Sequence, residues 1–80
     1  MFYGFTFSPT KLRKARENAG RSREHLAVLS GTSFETIKSY ENGARTPSRQ
    51  ALIRLAGALG CNPADFCEPD EAFQPEAVAT

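Results

Sequence analysis

The chain has 80 residues, 40% of them hydrophobic and 24% charged, proportions that suit one small globular domain and exclude a disordered segment. Its formal charge of +1 conceals an uneven distribution. Residues 1–60 carry all ten Lys/Arg and four acids, a formal +6, while residues 61–80 carry five acids and no base, a formal −5. A basic body with an acidic end is suited to meeting a polyanion.

Cys61 and Cys67 are too few for a disulfide framework. No set of Cys and His offers four metal ligands, so no metal or cofactor is expected. Two reduced thiols fit an intracellular chain. No apolar run approaches the ~18–20 residues of a membrane span, and the opening "MFYGFTF" lacks the basic start and the length of a signal peptide. A cytoplasmic protein without membrane contact is the expectation. One histidine, no paired carboxylates in an evident pocket and no phosphate-binding glycine loop leave no candidate catalytic residue.

Serines and glycines punctuate the rest. Residues 1–7 form an arm with four of the eight aromatics (Phe2, Tyr3, Phe5, Phe7). Ser8 before Pro9 predicts a helix start, with Leu12, Ala15 and Ala19 as its apolar stripe and Gly20 at its close. Ser22 opens a second helix of about eight residues with Leu26, Ala27 and Ser30 on one face, ended by Gly31. Ser33 opens a third, with Ile37 and Tyr40 inward and Gly43 after it. Ser48 opens a fourth with Leu52, Leu55, Ala56 and Leu59, closed by Gly60. Asn62-Pro63 begins a short fifth helix that returns Phe66 to the core. Only Phe5-Thr6-Phe7 alternates with a period of two. The expectation is a compact all-α domain of five helices over residues 8–67, followed by a loose acidic tail over 68–80.

The second and third helices are joined by the three-residue turn Gly31-Thr32-Ser33, the layout of a helix-turn-helix. The run "LRKARENAG-RSREHLA-VLSGTSFETIKSYENG-ARTPSRQALIRLAGALGCNPADF" resembles the phage-repressor/Cro type of helix-turn-helix DNA-binding domain across its length. The resemblance implies that Ala27, Gly31 and Ile37 carry the packing of the two helices. It also implies a structural ion pair between Arg16 and Glu41, against the alternative that Arg16 meets a phosphate.

In this motif the third helix enters the major groove. At 100° per residue Ile37, Tyr40 and Glu41 share one side of it, and Phe34, Glu35, Lys38, Ser39 and Asn42 fall on the other. Phe34, Glu35, Lys38 and Ser39 are the candidate base readers. Phe34 suits a thymine methyl and Glu35 a cytosine amino group; the alternative for Phe34 is a staple folded back on its neighbours. Ser22, Arg23, Thr36, Asn42, Arg45, Thr46 and Arg49 flank that helix and are the candidate phosphate contacts. Phe34 and Glu35 depart from the Gln, Arg, Ser or Asn usual at the base-reading positions of such domains, and Arg23 stands where they usually carry Gln at the start of the second helix.

The sequence therefore points to a transcriptional regulator that binds double-stranded DNA. The expected form is a repressor that acts by occlusion, as a homodimer on a palindromic operator. The other reading is a protein-interaction module, antitoxin-like or a co-regulator, that keeps the fold and meets a protein partner through Phe34, Glu35 and exposed aromatics. The arm either covers the open end of the core or helps form the dimer, and Val28, Leu29 and Phe73 add apolar surface.

Overall fold

The computed structural model describes residues 5–69. Strand β1 (Phe5–Phe7) leads into α1 (Pro9–Asn18), α2 (Arg23–Ser30), α3 (Phe34–Glu41) and α4 (Arg49–Leu59). A 3-10 helix (Pro63–Phe66) and strand β2 (Cys67–Pro69) follow. Phe2, Tyr3, Phe73 and the acidic tail beyond Pro69 lie outside the described residues.

Each α-helix starts at a serine whose hydroxyl accepts from a backbone N–H three residues on. Ser8 accepts from Lys11, Ser22 from His25, Ser33 from Thr36 and Ser48 from Ala51, at 3.0–3.3 Å. These bonds satisfy one orphan donor per helix start, each contributing about 1 kcal/mol. Gly31 ends α2 in the left-handed region, φ 69°, which lets the chain reverse within three residues and begin α3.

Two features depart from an all-α, five-helix chain. First, β1 pairs antiparallel with β2, Phe5 opposite Pro69, Thr6 opposite Glu68 and Phe7 opposite Cys67. The Ser8 N–H continues the ladder to the Phe66 carbonyl at 2.7 Å, and Lys11 Nζ donates to the Cys67 carbonyl at 3.0 Å. Residues 5–7 are thus tied to residues 67–69 at the other end of the described chain. Second, the fifth segment is a four-residue 3-10 helix. The Asp65 carboxylate accepts from the Asn62 N–H at 3.1 Å, and Cys67 already has extended dihedrals, so no α-helical turn can propagate.

Leu12, Leu26, Ile37, Leu52, Leu55 and Phe66 are fully buried, one or two from each α-helix and one from the 3-10 segment. Burial of such stripes against one another is what makes helices of eight to eleven residues stable. Phe7 packs on this core and meets Tyr40 edge to face, ring centroids 6.4 Å apart at 70°. Phe7 is therefore not an exposed aromatic. Among the described residues no helix is long and apolar enough to cross a membrane.

Candidate nucleic-acid interface

Helix α3 buries Ile37, Tyr40 and Glu41 and leaves Glu35, Lys38 and Asn42 exposed, with Ser39 half-buried beside them. Its hydroxyl cap is reciprocal: Ser33 Oγ accepts from the Thr36 N–H at 3.1 Å and donates to Thr36 Oγ1 at 2.8 Å. Thr36 keeps its own hydroxyl proton for another acceptor. At the other end, Asn42 Oδ1 accepts from the Ala44 N–H at 2.9 Å, and the Ser39 carbonyl accepts from the Ala44 and Arg45 N–H groups at 2.9 and 3.2 Å. The loop that carries Arg45 and Thr46 is thereby laid against the end of α3. Arg45, Thr46 and Arg49 are exposed. Ser22, also exposed, stands at the N-terminus of α2, where N–H groups and the helix dipole favour an anion.

Phe34 is not solvent-facing. It is half-buried and packed against the hydrophobic core. The reason is its azimuth: at 100° per residue Phe34 lies only about 20° from Glu41 and on the border of the inward face. That packing is what the staple reading expects of Phe34, and Glu35, Lys38, Ser39 and Asn42 make up the outward face.

Behind this face lies a charged network. Arg16 Nε donates to Glu41 Oε2 at 2.6 Å and Arg16 Nη2 to Oε1 at 3.0 Å, a bidentate pair between α1 and α3. Arg16 Nη1 also donates to the Arg21 carbonyl at 2.8 Å. The Glu41 side chain is 0% exposed and that of Arg16 11%. The hydrogen bond to Glu41 raises the Arg16 pKa above its ordinary value, against a smaller opposing effect of burial. The guanidinium is charged throughout the accessible pH range.

The network has a third member that the sequence did not suggest in this role. Arg23 Nε donates to Glu41 Oε1 at 3.0 Å, with the Arg23 side chain 34% exposed. Arg23 is thus no free surface charge. Two guanidinium groups share one carboxylate where α1, α2 and α3 meet. Arg21 Nε and Thr32 Oγ1, in the turns on either side of α2, are buried without a partner among the described residues.

The helix-turn-helix family pattern matches residues 12–66, most of the chain, and the chain belongs to that family. Over 58 residues it is 38% identical to a protein of Aeropyrum pernix described as an HTH-type transcriptional regulatory protein. That match covers 72% of this chain and 18% of the relative, so the chain spans less than a fifth of that protein's length. Its fold matches the restriction-modification controller protein C.AhdI of Aeromonas hydrophila, with a TM-score of 0.70 and 34% identity over 72% of this chain and 88% of that one. It also matches the P22 c2 repressor, solved in complex with a synthetic operator, with a TM-score of 0.69 and 23% identity over 76% of this chain and 92% of that one. The fold is that of the phage-repressor type.

Proposed function

We propose that the protein is a sequence-specific, double-stranded-DNA-binding transcriptional regulator. In this reading it is a repressor that binds a palindromic operator as a homodimer and places α3 in the major groove. The observation that carries the proposal is the face of α3. Glu35, Lys38 and Ser39 stand on a helix whose inward side is fixed by Ile37, Tyr40 and Glu41. Candidate anion-binding groups lie beside that helix: Ser22 and Arg23 at the N-terminus of α2, and Asn42, Arg45, Thr46 and Arg49 from the end of α3 to the start of α4. Bases are read by the helix, and backbone contacts set its register. Phe34 stays in the base-reading set through the part of its ring left at the surface, and Thr36 among the phosphate contacts through its free hydroxyl proton. The HTH-type description of the relative and the operator complex of the P22 c2 repressor support the same reading. A regulator of this kind acts in the cytoplasm.

The second reading, a protein-interaction module on the same fold, is favoured by exposed apolar side chains on α2 and α4. Val28 is 78% exposed, Ile53 52% and Leu29 45%. Titration of labelled duplex at several salt concentrations separates the two. DNA binding through several phosphates gives affinity that falls steeply and linearly on a log–log plot. A chain that meets only a protein gives no such dependence.

A further inference from the structure

We propose that Glu41, a buried acid, holds Arg23 as a preorganised phosphate fork, a role that rests on the DNA-binding reading above. Arg23 is the first residue of α2, directly after the capping Ser22. Its Nε is committed to Glu41 Oε1 at 3.0 Å, while Nη1 and Nη2 have no hydrogen-bond partner among the described residues. The side chain is about one-third exposed, and the carboxylate that holds it is fully buried. A guanidinium is planar and rigid, so fixing Nε also fixes the direction of the two Nη groups. They meet a phosphate without the ordering cost of a free side chain.

Glu41 is itself immobilised by the bidentate bond from Arg16. The chain of contacts therefore runs from α1 through a residue of α3 to the anchor on α2, and the anchor keeps a fixed place relative to the groove-facing helix. Glu41 is a positioning residue here: it touches no DNA, yet it aims a group that does. A lysine at position 23 cannot substitute. Its ammonium is a single point charge, which pairs either with the buried carboxylate or with a phosphate. The attraction of the buried Glu41 carboxylate keeps it on the protein.

The test compares wild type, R23K and R23Q, each checked for folding by thermal unfolding, in fluorescence anisotropy with a labelled generic duplex over a salt series. R23K is expected to behave as R23Q does: about tenfold weaker at fixed salt, with the salt slope lowered by about one although the charge is conserved. A merely structural Arg23 would change the melting temperature and leave the slope alone. R23K with the wild-type slope overturns the proposal, because a point charge then suffices. R23Q with wild-type affinity and slope overturns it too. Salt-independent or absent binding by the wild type fails the DNA-binding reading itself, an outcome distinct from either.

Discussion

Arg16 and Glu41, 25 positions apart in the sequence, are joined by two hydrogen bonds of 2.6 and 3.0 Å between α1 and α3. Glu41 is desolvated, so its attraction for Arg16 is little screened; its removal strands the largely buried Arg16, whereas removal of Arg16 leaves Glu41 its bond to Arg23. Glu41→Ala should therefore cost about 3–5 kcal/mol in urea unfolding. The loss on replacing Arg16 and Glu41 together should fall well short of the sum of the single losses. Additive losses would mean that the two groups are not coupled.

Glu35 is exposed on the outward face of α3, where a carboxylate opposes phosphates and is rewarded only by a donor such as the cytosine amino group. Glu35→Gln should bind unrelated duplexes more tightly. It should also lose about 1–3 kcal/mol of discrimination at one base position. Weaker binding to every duplex alike would remove Glu35 from the base-reading set.

In the proposed reading Phe34 serves two ends, and its truncation should show both. Half the ring's worth of buried area gives about 1–2 kcal/mol of stability lost in Phe34→Ala. The preference for thymine over uracil at one position should fall as well, because uracil lacks the methyl group. Loss of stability with thymine preference intact leaves Phe34 as a staple alone.

Much of the scaffold was legible in the sequence, and so was the outward face of α3. Ser8, Ser22, Ser33 and Ser48 mark helix starts because a short hydroxyl side chain satisfies a local N–H, a rule that needs no tertiary information. The β1–β2 ribbon escaped because three-residue strands carry too little periodicity, and its halves lie at opposite ends of the domain. Phe34 was misplaced because its azimuth falls on the border between faces, where the crossing of α3 over its neighbours decides. Arg23 was assigned to phosphate alone because its bond to Glu41, 18 residues away, depends on how α2 meets α3. Helix packing sets that distance, and no local pattern encodes it.

Arg45 is exposed on the loop that leads from α3 toward α4, and its charge should act on phosphates without reading bases. Arg45→Gln should lower the salt slope by about one and weaken all duplexes alike. A changed base preference at a single position would place Arg45 in the groove instead.

Burial raises the thiol pKa of Cys61 above its ordinary 9.0, with a further push from Asp65; burial also raises that of Cys67, partly opposed by Lys11. A folded-state pKa above the unfolded one means that the folded chain holds the proton more tightly. This contribution to stability is full below about pH 9 and is lost as pH rises through the raised values. Urea midpoints should fall over that alkaline range, and by less in a variant with both cysteines changed to alanine. Identical pH profiles for the two proteins would contradict the assignment.

The central claim, that α3 reads DNA in a two-fold assembly, is tested most directly by selection of bound duplexes from a random pool. The expected product is an inverted repeat whose half-site centres lie about one helical turn, roughly 10 base pairs, apart. Each half should hold a thymine and a cytosine within adjacent reach. Recovery of sequences no different from the starting pool, by a folded protein, would contradict it.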